Sequence, residues 1–258
     1  MLRALRTAAL GMSAQQASVD NTANNLANAN TTGFKRANVV FQDLLYQSVQ
    51  RGGQGEARPA AMQLGSGSAI VATERTFIQG SLVQTGNALD LAVNGEGFLQ
   101  VQRPDGSVVY TRDGALTLDA EGRVVTQGGL PLEPDLEVPP EAQEVQIGAD
   151  GIVRVRLQGE PEPLEIGQIE LVRFTNPAGL RAIGGNLFEQ TDASGEPAIA
   201  PPGEDGLGLL QQGFLEASNV DVVQEMVDLI TAQRAYEMNS KMVTTSEEML
   251  QIANSMKR

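Results

Sequence analysis

The chain has 258 residues and a formal charge of −14, from 32 acidic and 18 basic residues. It contains no His, Cys or Trp, which excludes imidazole catalysis, imidazole metal ligation, thiol chemistry and disulfides. The negative charge opposes binding to nucleic-acid phosphates, and no apolar run approaches the roughly 20 residues that a membrane span requires. We therefore expect no nucleic-acid partner and no direct membrane insertion.

The first 27 residues predict a long helix with one apolar side. Apolar residues recur at alternating intervals of three and four, and only Gln16 in the series is polar. The series is Leu2, Leu5, Ala9, Met12, Gln16, Val19, Ala23 and Leu26. This alternation is a heptad seam. Gly33 then supplies the positive φ at which helices commonly end. Such a helix would be about 40 Å long, and its seam needs a partner.

Residues 34–68 are predicted to connect this helix to the next domain. The stretch from Phe34 to Tyr46 offers an apolar face on a short element whose type the sequence leaves open. From Gln47 to Ser68 the pattern is lost among Gly, Pro and small residues. This is typical of an extended loop that is either functional or a flexible linker.

Residues 69–218 change to the pattern of short strands. Apolar runs such as Phe98–Gln102 and Val108–Thr111 follow turn pairs such as Asn94-Gly95 and Asp105-Gly106. Because such runs and turns recur throughout the region, it is predicted to form an antiparallel sheet or barrel-like domain.

The tail 219–258 returns to a helical pattern. Ser218 and Asp221 resemble a capping box, and no Gly or Pro follows them. A second seam runs through Val222, Met226, Leu229, Gln233, Tyr236, Ser240, Val243, Glu247 and Leu250. The helix is either continuous to the end of the tail or restarts after a kink near Thr245.

Both ends of the chain therefore carry an apolar seam without a partner. We predict an α+β fold in which residues 1–33 and 219–258 form one discontinuous helical core domain, paired like a coiled coil. The β-rich domain, residues 69–218, is inserted between the two helices through the connecting segment 34–68.

The two seams have two interpretations. A plain intramolecular helix pair is one. The other is a surface for assembly with further copies, because both helices carry many amides, which donate and accept hydrogen bonds at lower desolvation cost than charges. We favour assembly. The candidate interface residues are Leu2, Leu5, Met12, Val19, Asn24, Asn25, Leu26, Asn28, Gly33, Phe34, Val222, Met226, Leu229, Gln233, Tyr236, Asn239, Val243 and Leu250. No residues suggest a catalytic, cofactor or metal site.

Three stretches of sequence resemble those of the bacterial flagellar axial family, which comprises rod, hook and hook-associated subunits. Residues 23–36 read ANNLANANTTGFKR, residues 213–220 read GFLEASNV, and residues 233–241 read QRAYEMNSK. Within the family, FQDLLY at 41–46, YTRDG at 110–114 and the Gly-rich segment after Tyr46 are most similar to distal rod subunits. The resemblance covers essentially the whole chain.

The resemblance implies a helical tubular polymer with the terminal helices inside and the β-rich domain outside, which carries torque from rotor to hook. It implies export by the flagellar apparatus without a cleaved signal peptide, and a place in the periplasm-spanning rod of the basal body. The implied partners are further copies, proximal rod subunits, the hook subunit, and the peptidoglycan and outer-membrane ring proteins. The segment with Tyr46, Gln47, Arg51, Gly53, Arg58, Pro59 and Gln63 would stiffen the tube.

Two alternatives stay open at this point. The first keeps the family and makes the chain a proximal rod or hook subunit. The second is a periplasmic enzyme that hydrolyses cell-wall glycan, which would require a buried pair of Glu or Asp residues in a cleft. Nothing in the sequence singles out such a pair, so we do not expect an enzyme.

Overall fold

A computed structural model describes residues 2–49, 62–157 and 163–256, which form two compact units. The helical unit comprises residues 1–27, 37–74 and 221–258, and the β unit comprises residues 28–36 and 75–220. The described residues 37–49 and 62–74 group with the terminal helices; the sequence predicted residues 34–68 as a connecting segment and residue 69 as the start of the β-rich domain.

Two long helices dominate the helical unit. Helix α1 spans Leu2–Ala27 and helix α2 spans Val222–Ser255, and the two pack on each other. Asp221 is the N-cap of α2, because its carboxylate accepts hydrogen bonds from the backbone N–H groups of Val223 at 2.9 Å and Gln224 at 3.3 Å. Neither helix combines the length and apolarity of a membrane span within the described residues.

Helix α2 runs without a break past Thr245. The hydroxyls of Thr244 and Thr245 both donate to the backbone carbonyl of Lys241, at 2.9 and 2.8 Å. These hydroxyls therefore bond within the helix instead of capping a new one. Of the two alternatives that the sequence left open, the structure shows the continuous helix.

The helical unit also contains two pairs of strands. Strand β1 (Ala37–Asp43) pairs with β4 (Ser68–Arg75), and β2 (Gln47–Val49) pairs antiparallel with β3 (Met62–Leu64). Between the pairs, the backbone N–H of Leu44 donates to the carbonyl of Gly67 at 2.8 Å. The segment expected to lack pattern therefore contains paired strands, and we call β1–β4 the two-stranded arm.

The β unit consists of short strands that pair antiparallel with one another. They are β5 (Leu82–Gln84), β6 (Leu91–Asn94), β7 (Phe98–Gln102), β8 (Val108–Thr111), β9 (Leu116–Leu118), β10 (Val124–Thr126), β11 (Leu132–Glu133), β12 (Ala142–Ile147), β13 (Ile152–Leu157), β14 (Leu164–Gln168), β15 (Leu171–Arg173), β16 (Arg181–Gly184), β17 (Leu187–Glu189), β18 (Ala198–Ala200), β19 (Leu209–Gln212) and β20 (Phe214–Glu216). The largest sheet has the order β16-β17-β8-β7-β15-β18, and β11 also pairs with β7.

Strand β7 separates two cores of the β unit. Leu99 and Val101 point into a large aliphatic core, while Phe98 points into a smaller aromatic cluster with Tyr110 and Phe174. Successive side chains of a strand point to opposite faces, so the run Phe98–Gln102 fills both. The β unit thus has a core of its own that does not depend on the helices.

Candidate assembly surfaces

The amides of the N-terminal motif form contacts within the helical unit. Asn25 is buried, its Oδ1 accepts from the backbone N–H of Ala37 at 3.0 Å, and its Nδ2 donates to the carbonyl of Ala37 at 2.8 Å. The same Nδ2 lies 3.3 Å from both carboxylate oxygens of the buried Glu225, and Asn21 Nδ2 donates to the carbonyl of Ala37 at 2.7 Å. Asn25 therefore joins the end of α1 to β1 and to the first turn of α2.

The buried positions of both helices lie one residue before many of the predicted seam positions. On α1 the side chains of Ala8, Thr22 and Asn25 are buried, whereas Ala9 and Ala23 are exposed. On α2 the side chains of Glu225, Ala232 and Ser246 are buried, whereas Met226, Gln233 and Glu247 are exposed. A Cβ at Gly11 would lie 3.0 Å from Asn239 Nδ2. Small and polar residues thus line the closest approach of the helices, because they let the two backbones come near.

The other candidate interface residues are distributed over several environments. Leu5, Met12, Val19, Leu26, Leu229, Asn239, Val243 and Leu250 are half-buried in the helical unit, and Asn24, Val222, Met226, Gln233 and Tyr236 are exposed. Asn28 is half-buried, and Gly33 and Phe34 are buried, all in the β unit. The side chain of Leu2 lies outside the described part of the chain.

A second apolar stripe on α2 remains exposed. It consists of Val223, Val227, Ile230, Met238, Met242, Met249, Ile252 and Met256, whose exposed fractions lie between 45% and 83%. These residues recur at intervals of three, four, seven or eight, so they line one side of the helix over about 50 Å. Contiguous apolar surface on this scale marks interaction sites on soluble proteins. We call it the outer stripe.

The two-stranded arm exposes further apolar side chains. Phe41 is 44% exposed, Leu45 90%, Tyr46 57% and Val71 58%. Of the candidate stiffening residues, Tyr46 precedes β2, Gln47 begins β2 and Gln63 lies in β3. Arg51, Gly53, Arg58 and Pro59 lie outside the described residues.

The second half of the N-terminal motif belongs to the β unit, where it meets the GFLEASNV stretch. The backbone N–H of Gly33 donates to the carbonyl of Glu216 at 2.8 Å. Lys35 Nζ lies 2.5 Å from Glu216 Oε1 and 2.9 Å from the carbonyl of Ile78, and Arg112 Nη1 lies 3.4 Å from Glu216 Oε2. Lys35, Arg112 and Glu216 are all at least 96% buried. We call these three side chains the buried charge cluster.

Two cations share one carboxylate in the buried charge cluster. Burial lowers the pKa of the Lys35 amine, Glu216 opposes this shift, and the charge of Arg112 adds to it. Burial likewise lowers the pKa of the Arg112 guanidinium, and Glu216 again opposes the shift. The guanidinium also lies over the ring of Phe98, 5.4 Å from its centroid. Glu216 thus carries much of the electrostatic stabilisation of both cations.

Sequence reasoning missed Glu216 and Glu225 as structural residues. Both are 1% exposed. A buried Glu is rare unless it is paired, so neither apolarity nor periodicity could have found them. For Glu216, the one available signal was its place within the GFLEASNV stretch.

Three family models match the chain: "Flagella basal body rod protein" at residues 5–35, "Flagellar hook protein FlgE/F/G D1 domain" at residues 92–155, and "Flagellar basal body rod FlgEFG protein C-terminal" at residues 211–256. The first contains Asn25 and Lys35, and the last contains Glu216 and the outer stripe.

Curated relatives extend the similarity to the whole length. The flagellar basal-body rod protein FlgG of Borreliella burgdorferi is 48% identical over 264 residues, covering 100% of both chains. FlgG of Caulobacter vibrioides is 45% identical and covers 99% of this chain and 100% of its own. FlgF of the same organism is 37% identical over 90% of this chain and 88% of its own.

A solved structure, the flagellar hook protein FlgE2 of Helicobacter pylori, aligns with a TM-score of 0.25 at 16% identity. The alignment covers 62% of this chain and 47% of that one, and this similarity is too low to bear on the fold. The full-length sequence matches are sufficient by themselves: the chain belongs to the FlgG family of flagellar basal-body rod proteins.

Proposed function

We propose that the chain is a structural subunit of the distal flagellar rod, and that copies of it polymerise through the outer stripe of α2. The single observation that carries the polymerisation is the exposure of eight Val, Ile and Met side chains along about 50 Å of a helix whose other side already packs on α1. Because α2 packs on α1 through small and polar residues and exposes apolar residues on its other side, it can contact α1 of its own chain and a helix of a neighbour at once.

Burial of the outer stripe would supply a large driving force. Fully burying one Val, Ile or Met side chain contributes roughly 1.5–3 kcal/mol, and these eight side chains are already partly covered. Even half of that value per residue gives on the order of 6–12 kcal/mol per subunit before the entropy of association is subtracted. Since the entropic cost of association is itself about 4–15 kcal/mol, burial of the outer stripe offsets a large part of this cost without any charged contact.

In the assembled rod, we expect α1 and α2 to pair like a coiled coil, and the small residues buried between the two helices support their close approach. The β unit would lie outside the helices, and its barrel-like closure stays a prediction. The two-stranded arm exposes Phe41, Leu45 and Tyr46 beside the candidate stiffening segment. We propose that these side chains contact neighbouring copies and oppose bending of the tube.

The family supports the remaining parts of the proposal. A rod subunit of this kind would lie in the periplasm, be delivered by the flagellar export apparatus, contact proximal rod and hook subunits, and turn within the peptidoglycan and outer-membrane ring proteins. Among the alternatives, a proximal rod subunit is less well supported, because the identity to the FlgF relative is 37% against 45% for FlgG of the same organism. The family consists of structural proteins, which does not favour a glycan hydrolase.

The test uses two adjacent residues of α2. Ile252 belongs to the outer stripe and is 59% exposed, while the neighbouring Gln251 is also exposed but lies about 100° round the helix. We expect Ile252→Lys to prevent polymer formation by the purified chain, seen by electron microscopy and sedimentation, and to abolish motility in cells that depend on it.

Gln251→Lys is the matched control and should polymerise normally. Val227→Lys repeats the test at the other end of the stripe. Because both stripe positions are exposed, circular dichroism of the variants should be unchanged. Normal polymers from both stripe variants would contradict the proposal.

A further inference from the structure

A pocket on the β unit has a chemical character that the packing of the fold does not explain. Its volume is about 360 Å³, and it lies beside β7, β11 and β18. Pockets that hold small ligands or side chains begin at about this size. Ile199, which is 51% exposed, contributes apolar lining, whereas the side chain of Leu132 belongs to the aliphatic core.

Three carboxylates line the same pocket: Glu133, Asp135 and Glu170. Glu133 Oε2 is buried and has no hydrogen-bond partner in the described part of the chain. The charge of Asp135 acts on Arg123, but that guanidinium already lies 2.9 Å from the carboxylate of Asp119. No Lys or Arg is among the described residues that line the pocket.

A second observation is independent of the carboxylates. Gln100 also lines the pocket, is only 5% exposed, and its side-chain amide makes no hydrogen bond to any residue that the structure describes. The amide atoms of Gln100 are accessible from the pocket, where a ligand or water can complete their hydrogen bonds. The position of this residue is fixed by the ladder, where Gln100 pairs with Glu133 on one side and Tyr110 on the other.

The described lining of the pocket is therefore acidic and polar, with the apolar side chain of Ile199 beside it. Burial raises the pKa of the Tyr110 phenol, and the nearby Glu133 carboxylate adds to this shift. A metal ion does not suit the site, because no group of Asp and Glu residues among the described ones is arranged to hold one.

We propose that this pocket binds a basic side chain, an arginine or a lysine, presented by a partner polypeptide. The apolar stem of such a side chain would pack on Ile199, while its cationic head would reach Glu133 and Glu170. The Gln100 amide oxygen accepts a hydrogen bond from the same head. The inference does not depend on polymerisation through α2, since all of these residues belong to the β unit.

The experiment titrates the full-length chain, labelled with ¹⁵N, with N-acetyl-arginine amide and N-acetyl-lysine amide. N-acetyl-citrulline amide is the neutral control ligand, because it matches arginine in shape and lacks its charge. We expect saturable shifts of the backbone amides around Gln100 and Glu133 with both basic ligands, and none with the citrulline ligand.

Variants assign the binding to the pocket. Glu133→Gln keeps the shape, removes the charge, and should weaken binding roughly tenfold or more, as the loss of a charged hydrogen bond predicts. Glu170→Gln should weaken it in the same direction and serves if the first variant does not fold. Glu121→Gln, at an exposed carboxylate outside the pocket, is the matched control and should bind normally.

Three results would overturn the proposal. They are the absence of saturable shifts with the basic ligands, equal shifts with the citrulline ligand, and undiminished binding by both Glu133→Gln and Glu170→Gln. The titration measures ligand binding by the single chain, so a negative result would not bear on polymerisation through α2. Likewise, a failure of the polymerisation test would not bear on ligand binding by the pocket.

Discussion

Removing the carboxylate of Glu216 should destabilise the β unit far more than removing the amine of Lys35. Glu216 is 1% exposed, lies 2.5 Å from Lys35 Nζ and 3.4 Å from Arg112 Nη1, and accepts a hydrogen bond from the backbone N–H of Gly80 at 2.8 Å. With an effective dielectric constant of about 20, the two ionic contacts correspond to roughly 7 and 5 kcal/mol of gross attraction. Most of this offsets the cost of burying the charges.

The two substitutions leave different charges behind. Glu216→Gln leaves Lys35 and Arg112 buried together without an anion, which should cost about 3–5 kcal/mol. Lys35→Met leaves Arg112 paired with Glu216. It also leaves the carbonyl of Ile78 with its second donor, the amide of Asn219 at 3.0 Å. We therefore expect Lys35→Met to cost less than about 2 kcal/mol.

The assay is urea unfolding followed by circular dichroism at pH 7. Glu189→Gln is the control, because Glu189 forms an ion pair with Arg181 at the surface, and such pairs contribute less than about 1 kcal/mol. Equal free energies of unfolding for Glu216→Gln and Lys35→Met, or a cost for Glu216→Gln no larger than that of the control, would refute this reasoning.

The remaining predictions concern the same motifs. Asn25→Asp replaces the amide that donates to the Glu225 carboxylate by a second carboxylate, and should lower the free energy of unfolding by about 2–4 kcal/mol at pH 7. Urea unfolding measures this change, and an unchanged free energy would count against the contact. Gly33→Ala places a methyl group 2.7 Å from a backbone nitrogen at φ +67° and should lower the free energy of unfolding by about 2–4 kcal/mol. Gly86 has a similar φ of +77° but lies in open space, so Gly86→Ala should lower it by about 1 kcal/mol. Similar values for both variants would rule out the close approach at Gly33. Burial lowers the pKa of Lys35 in the folded state below its ordinary value of 10.5, so between the two pKa values the unfolded state binds more protons than the folded state. The free energy of unfolding of the wild type, relative to that of Lys35→Met, should therefore rise as the pH increases through that window. A difference that does not depend on pH would contradict the burial of the charge.

Element types followed from the sequence more readily than packing did. The runs Phe98–Gln102 and Val108–Thr111 are strands β7 and β8 with the expected bounds, because alternation and flanking glycines are local signals. The paired strands β2 and β3 were missed, because each has three residues and their pairing joins distant parts of an apparently patternless segment.

The seam of the helices shows why packing was harder to predict. The predicted seam includes large apolar side chains such as that of Met226, which is 48% exposed, whereas Glu225 and Ala232 are buried. Two helices can pack closely through small residues, because these let the backbones come near each other. Large apolar residues on the same helices then remain exposed and can contact another molecule. An apolar seam in a sequence therefore does not reveal which partner it meets.

The most direct test of the central claim, that the outer stripe of α2 contacts neighbouring copies, is oxidative footprinting of its methionines. Met238, Met242, Met249 and Met256 are between 45% and 83% exposed in the single chain, so dilute peroxide should convert them readily to sulfoxides in the monomer. Mass spectrometry of the polymer treated in the same way should show strong protection of all four. Oxidation rates equal in polymer and monomer would contradict the account.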